Sequence, residues 1–413
     1  MLAQESKTLI VQKFGGTSVA TPEKIKEVAR RVVEEKKAGK DIIVVVSAMG
    51  DTTDRLMSLA QTVTKSPPKR ELDMLLTAGE RISMALLSMA ISDLGHEAIS
   101  FTGSQSGIVT DTSHTRAKIL DVRAHRVREE LEKGRIVIVA GFQGVSPAKE
   151  VTTLGRGGSD TTCVALAAAF SARECHLFKD VDGVYTADPQ LVPWARKIEK
   201  ISYDEMLELA FCGAGVLHWR SVDIAMRFGV RIHIRSSFGK EMGTIVTAKE
   251  EIEPTEIRGI TQDLNLAGIR LKHIDRPAEI AGRILEALDR EDIGVRFLYI
   301  SPGPGDRSAV SIMIPLASKD LAVGCISQAL PHEKFELDED IATISIVGQG
   351  LTSIPGVARR VMGSLASLDI QPEIISTSGI GLTIALPKAR AVEAVRRLHC
   401  DLGLGEPTRG EAQ

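Results

Sequence analysis

Thr8-Leu9-Ile10-Val11-Gln12-Lys13-Phe14-Gly15-Gly16-Thr17-Ser18 is the stretch whose reading decides the fold. Its first half, to Gln12, is an apolar run of strand length; its second half is a glycine pair followed by small hydroxyl residues. Pro22-Glu23 then opens a helix that runs to about Lys37. A strand ending in Gly-Gly lets backbone N–H groups approach an anion closely, and Lys13 places a positive charge beside them. The order is not that of the P-loop, where lysine follows the second glycine. Read alone, such a stretch is more often a plain turn, so the rest of the chain has to decide.

Working outward, residues 1–247 alternate strand-like and helix-like segments. Asp41 to Val46 is a continuous apolar run, the pattern of a strand covered on both faces. It ends in the small-residue loop Ser47-Ala48-Met49-Gly50-Asp51-Thr52-Thr53. Arg135 to Ala140 repeats the pattern and ends at Gly141-Phe142-Gln143-Gly144; His176 to Phe178 and Val230 to Ile234 are two further strand candidates. Helices are expected at about 23–37, 54–64, 71–92, 115–133, 159–170 and 203–211. This predicts an α/β domain, a mostly parallel sheet with helices on both faces, whose ligands lie in the loops after the strands.

Composition narrows the class. A chain of 413 residues favours two or three domains, and 43% hydrophobic with 25% charged residues is a globular balance. A net charge of −3 and 4% aromatic residues carry no sign of a nucleic-acid surface. No apolar run reads as a bilayer span, and Met1 to Lys7 lacks the core of a secretory signal. The five cysteines are scattered, odd in number and form no CxxC pair. The expectation is a soluble cytoplasmic protein with neither membrane nor nucleic acid as partner.

Near Thr247 the character changes, and a charged, proline-containing linker is expected over 248–258. An internal repeat follows: Ile274-Asp275-Arg276-Pro277-Ala278-Glu279-Ile280-Ala281 against Thr352-Ser353-Ile354-Pro355-Gly356-Val357-Ala358. After each proline comes a helix with matching apolar positions, Ile284, Leu288 and Ile293 against Val361, Leu365 and Ile370. Each unit reads strand, helix, strand, strand, helix, strand, with boundaries at 259–335 and 336–413. Two such units resemble paired ACT domains, which bind amino-acid effectors between them; the other reading is a ferredoxin-like (βαββαβ) pair used only for dimerisation.

Four further segments in the first half carry chemistry. In Thr77-Ala78-Gly79-Glu80-Arg81-Ile82-Ser83 a glycine interrupts a helix at a cost in stability, which implies close approach of something. Glu80 is suited to a substrate ammonium, or else to an ion pair with Arg81. In Thr152 to Thr162 a glycine-rich loop feeds a helix N-terminus, where free N–H groups and the positive dipole end gather. Arg156 between glycines is a bidentate fork for a carboxylate, while Ser159 or Asp160 caps that helix or faces a ligand. Asp180-Val181-Asp182-Gly183 and Asp188-Pro189 mark turns whose carboxylates hold Mg²⁺ indirectly or make Asx-turns. His218, in Gly213 to Ser221, is by itself more often a structural histidine than a catalyst.

Taken together, in order and spacing, these segments resemble the aspartate kinases over nearly the whole chain. The resemblance implies the amino-acid kinase fold with two ACT domains, and transfer of the ATP γ-phosphoryl group, with Mg²⁺, to the side-chain carboxylate of L-aspartate. It implies that Lys13 stabilises the transferring phosphoryl group and that Gly15, Gly16 and Ser18 line the phosphates. Asp160 would organise the phosphate-facing lysine, and Lys179, Asp180, Gly183, Tyr185 and Gln190 would fall on the nucleotide side. Ser47, Thr53, Glu80, Arg156 and Ser159 would hold aspartate, Glu80 by its ammonium and Arg156 by its α-carboxylate. Effectors such as lysine or threonine would meet Pro277, Ala278, Glu279, Pro355 and Gly356, and a homo-oligomer would form through the ACT units.

The departures are informative. The family usually has Ser or Thr where this chain has Lys179, Arg where it has Gln190, and Lys where it has Gly215. Two cations near the phosphates are therefore missing, and one preorganised stabiliser of that kind is worth on the order of 10²–10³ in rate. Lys179 is the new cation that would replace one of them; Arg220 and His218 are lesser candidates. In the regulatory half Ala278-Glu279 adds bulk and negative charge where an effector carboxylate would dock, which predicts weak feedback. An impaired, amino-acid-binding paralogue and a kinase for another amino-acid carboxylate are the alternatives.

Overall fold

The computed structural model describes residues 8–249, 257–303, 307–349, 351 and 356–406, and they form two compact units. The first is built from the chain up to Thr186, with Arg196–Phe211 and the stretch from Gly215 to the linker. The second takes Ala187–Ala195, Cys212–Ala214 and the chain beyond the linker.

The first unit is organised on eight strands: β1 (Leu9–Phe14), β2 (Asp41–Val46), β3 (Ala98–Phe101), β4 (Ile136–Ala140), β5 (Glu174–Lys179), β6 (Lys200–Ser202), β7 (Arg231–Ser236) and β8 (Thr244–Thr247). Their order is β6-β8-β7-β5-β1-β2-β4-β3, and every neighbouring pair is parallel except β7 with β8. The continuous apolar runs at 41–46 and 136–140 are buried almost end to end, as strands covered on both faces must be. Phe14, Val28, Val32, Val44, Leu87 and Ile138 form part of one core on a face of this sheet. Because β1 and β5 are adjacent and parallel, with Lys13 opposite Leu177, their carboxyl ends open into the same place.

Two helix expectations need correction. The run at 71–92 is two helices, Lys69–Leu76 and Ala78–Asp93. The break falls at Thr77, whose carbonyl accepts from the buried Gln143 side chain at 3.3 Å. Taken together, residues 69–93 pass by length and composition as long and apolar enough to cross a bilayer. Within them Leu87 and Ile91 are buried in the core shared with helix Pro22–Lys37. The expected helix 115–133 holds only His125–Glu132; Ile119–Val122 is a strand of a second, four-stranded sheet with Ile108–Thr110, Gln143–Val145 and Val151–Thr153. Thr115 and Ala124 take positive φ (72° and 32°), which ends helix propagation on both sides of that strand.

The second unit contains two antiparallel four-stranded sheets. One is formed by β10 (Leu266–Ile274), β11 (Phe297–Pro302), β12 (Ser308–Pro315) and β13 (Phe335–Asp338), in the order β11-β12-β10-β13, with helices Pro277–Arg290 and Lys319–Ala329. The other joins β14 (Ile341–Val347), β15 (Ile374–Thr377) and β16 (Gly381–Pro387) to β9 (Gly259–Asp263), in the order β9-β14-β16-β15, with helices Val357–Ser367 and Ala391–Asp401. The paired apolar positions of the repeat are all buried. The expected boundaries at 259–335 and 336–413 are corrected: β9 pairs with β14 from Gly259–Val347 to Asp263–Thr343 and serves as the last strand of the second module. The first module, 266–338, is therefore inserted between two strands of the second.

Candidate active site

Lys13, near the end of β1, and Lys179, the last residue of β5, meet on one carboxylate. Lys13 Nζ lies 2.8 Å from Asp160 Oδ1 and Lys179 Nζ 2.5 Å from Oδ2. Asp160 stands in the first turn of helix Gly158–Ala169, entered through Gly157 at φ 69°. Lys13 is 5% exposed and Asp160 3%. Burial alone would raise the Asp160 pKa; the two ammoniums override it and hold the carboxyl well below the usual range. Burial pulls the Lys179 pKa down, against the opposing pull of Asp160. Two cations on one anion leave an excess positive charge beside Gly15, whose added Cβ would stand 3.5 Å from Lys13 Nζ.

The glycine pair is needed for approach rather than only for free donors. The Gly15 N–H donates to the Phe178 carbonyl at 3.3 Å, so that one donor is engaged. A Cβ on Gly16 would come within 2.9 Å of the Ala48 carbonyl, and the Gly50 N–H donates to the Gly16 carbonyl at 3.0 Å. The two loops are thereby locked together. Ser18 is buried, with its Oγ 2.5 Å from Ser237 Oγ on the loop after β7.

The same Ala48 leads to the second half of the site. Glu80 is 3% exposed; its Oε1 accepts from the Ala48 N–H at 3.1 Å, while Oε2 is buried with no hydrogen-bond partner among the described residues. Burial raises its pKa to about 7 despite backbone hydrogen bonds that lower it. The close approach implied by Gly79 is to Ala48: a Cβ there would stand 2.7 Å from the Ala48 Cβ. Ser47 and Thr53, both half-buried, belong to this loop and the helix after it. Ser159 is buried against Gly141, where a Cβ would lie 2.7 Å away. Arg156 is exposed between Gly155 and Gly157, both at positive φ.

Asp73, which holds this frame, is not among the residues singled out in the sequence. Asp73, fully buried, accepts from Thr153 Oγ1 at 2.6 Å and from the Thr115 N–H at 3.0 Å, and pairs with His114 Nδ1 at 2.7 Å. It carries the glycine loop, and its signal was an acid seven residues before Glu80 on the buried face of a helical run. Arg220 donates to the carbonyls of Leu154 (2.5 Å) and Ala117 (2.7 Å), so it buttresses the loop and is not the replacement cation. His218 caps helix Trp219–Phe228, accepting from the Arg220 N–H at 3.3 Å, a structural role.

On the nucleotide side Asp180 is exposed next to Lys179. Asp182 is engaged by the Tyr185 hydroxyl at 2.8 Å and by Lys197 at 2.6 Å. Burial first, then Asp182, push the Tyr185 pKa up to about 12, so the phenol stays a neutral donor. Gly183 is required where a Cβ would meet Thr244 Oγ1 at 2.6 Å. Gln190 lies on 187–195, where Ala187 and Val192 are buried with Val395 and Leu398 in the core of the second unit. In that unit Pro277 is the first residue of its helix, Glu279 pairs with Arg276 at 3.3 Å, and Gly356 is the N-cap of its helix at φ 94°. Pro355 lies outside the described residues.

Known proteins match the chain along most of its length. The amino acid kinase family matches residues 8–236, and an ACT domain matches residues 344–402. The chain is 45% identical over 406 residues to the aspartokinase of Mycolicibacterium smegmatis, covering 96% of each. It is 45% identical over 402 residues to that of Geobacillus stearothermophilus, covering 96% of this chain and 98% of the relative. Among solved structures, the aspartate kinase from Synechocystis is 35% identical with a TM-score of 0.55, covering 98% of this chain and 71% of that one. E. coli aspartokinase III in complex with aspartate and ADP shares the fold, with a TM-score of 0.82 at 24% identity over 96% of this chain and 100% of that one.

Proposed function

The chain belongs to the amino-acid kinase family, and within it to the aspartokinases; from that premise we propose that it transfers the γ-phosphoryl group of ATP to the side-chain carboxylate of L-aspartate, giving 4-phospho-L-aspartate. One observation carries the reading for this chain: two ammoniums share a single buried carboxylate at the carboxyl ends of β1 and β5. A carboxylate is already a nucleophile, so no general base is required. The barrier lies in bringing two anions into line, and catalysis rests on positioning and charge neutralisation. Lys13 and Lys179 supply the charge, and Asp160 keeps both ammoniums pointed at one place. The ground for an impaired paralogue, a phosphate site short of cations, is thereby weakened.

Glu80 is the proposed acceptor for the aspartate ammonium, since its free Oε2 is otherwise an uncompensated buried acceptor. Arg156, exposed on the glycine loop, is the proposed fork for the α-carboxylate, with Ser47, Thr53 and Ser159 around it. Gly15, Gly16, Asp180, Gly183 and Tyr185 are assigned to the nucleotide side. Mg²⁺ would enter with ATP and supply further neutralisation on the phosphates, and the exposed Asp180 oxygens are the hard donors it takes. Both βαββαβ modules are proposed as ACT domains, with effectors and subunit pairing on them, in a cytoplasmic enzyme.

Hydroxamate trapping of the acyl phosphate with ATP, Mg²⁺ and aspartate tests the reaction. Product is expected with aspartate and at least about 10²-fold less with glutamate, because one added methylene carries the acceptor out of a near-attack geometry. Nucleotide binding without trapped product would refute the activity, and equal use of glutamate would refute the acceptor.

A further inference from the structure

At the amino end of β5, away from the lysine cluster, two imidazoles converge on one carboxylate. His176 Nε2 lies 2.6 Å from Glu174 Oε1 and His233 Nδ1 3.5 Å from the same atom. His233 comes from β7, where it is the direct partner of His176 in the parallel register. The ring planes stand nearly perpendicular, with centroids 5.2 Å apart. One ligand atom from each of the three residues lies within 4.8 Å of the others. Both histidines are about nine-tenths buried, and the Glu174 side chain, one-third exposed, connects the group to solvent.

His233 has one ring nitrogen engaged and the other aimed at the group. Its Nε2 bonds to the Met242 carbonyl, which can only accept, so Nε2 carries a proton. In the neutral ring Nδ1 then presents a lone pair to a carboxylate oxygen, and two acceptors face one another across 3.5 Å. The pair is satisfied either by a second ring proton, which makes the imidazolium, or by a metal cation between the two atoms. A ring N–H held by a backbone carbonyl, which leaves the other nitrogen for the ion, is the outer-sphere arrangement of metal-ligating histidines.

We infer that Glu174, His176 and His233 form a binding site for a divalent transition-metal ion of the zinc type, with two imidazole nitrogens, one carboxylate oxygen and a position open to water. The donor set selects the ion: imidazole with one carboxylate suits zinc, whereas magnesium prefers oxygen ligands throughout, so this site is separate from the ion that would accompany ATP. The three residues lie on adjacent strands, so bound metal would tie β5 to β7 at the end opposite Lys179.

The test uses the full chain freed of metal by chelation and dialysis. Equilibrium dialysis with metal analysis is expected to find one zinc per chain, undisturbed by excess magnesium. Cobalt is expected to give visible ligand-field bands without the near-ultraviolet absorption of a thiolate complex, since the cysteines are not involved. Zinc should raise the melting temperature in a concentration-dependent way. Glu174→Gln and His176→Ala should each weaken zinc binding by more than the 10–100-fold typical of losing an outer-sphere partner. Glu174→Gln changes a partly exposed residue, so its fold can be checked by circular dichroism. No zinc retained by the wild type, a thiolate band, or unchanged binding in Glu174→Gln would each overturn the assignment; the first two are decided without any variant.

Discussion

At the residue scale the site is two unlike carboxylates. Asp160 is ionised by two ammoniums that outweigh burial, while Glu80, buried with one acceptor free, is pushed up to about 7. For Glu80 the folded pKa lies above the unfolded one, so its contribution to stability is fully present below about 4.5 and is lost as pH rises through about 7. The substrate-free enzyme should therefore lose on the order of 2–3 kcal/mol between pH 5 and 8 from this group, and Glu80→Gln should recover it. Thermal melts at the two pH values check this: a gain for the variant at pH 8 that vanishes at pH 5 is expected. The same variant should lose aspartate binding, and in the wild type kcat/KM for aspartate should rise with pH up to about 7, as Glu80 becomes able to receive an ammonium. A flat profile would contradict the assignment.

At the element scale, loops are held in register by glycines placed where a methyl group does not fit. Gly79→Ala should normally stabilise a helix interior by about 0.5–1 kcal/mol. Here the new methyl would stand 2.7 Å from the Ala48 Cβ, and the loop that presents Ala48 to Glu80 must shift. The variant is expected to melt lower than wild type and to lose up to about 10²-fold in kcat/KM for aspartate; a more stable, fully active variant would contradict the packing. The strands of the main sheet were legible because each is a continuous apolar run with only one way to be buried. Gly79 was legible as an approach point because a glycine inside a helical pattern has a cost that needs a reason. Ile119–Val122 was not, since four residues between two positive-φ turns carry too little periodicity to separate strand from helix. Nor was the break at Thr77, which depends on Gln143, a side chain distant in sequence.

At the scale of the whole molecule, the repeat was visible but its interleaving was not, because nothing local says that β9 pairs with a strand some eighty residues on. The second module depends on that pairing. Relative to a fragment of residues 257–413, one of residues 265–413, lacking β9, should show a lower, broadened transition; equal melts would contradict the topology. The first module opens its helix with Ala278-Glu279, and Glu279 stands beside Arg276. Inhibition by lysine or threonine is accordingly expected to be shallow, and steep cooperative inhibition at millimolar effector would refute that reading. The missing cations at Gln190 and Gly215 were readable in the sequence; that Lys179 joins Lys13 on Asp160 required the register of β1 with β5. The most direct test of this account is the turnover of Lys179→Met under saturating ATP, Mg²⁺ and aspartate. A fall in kcat of about 10²–10³, with the fold intact, is predicted, and a variant that retains full activity would contradict it.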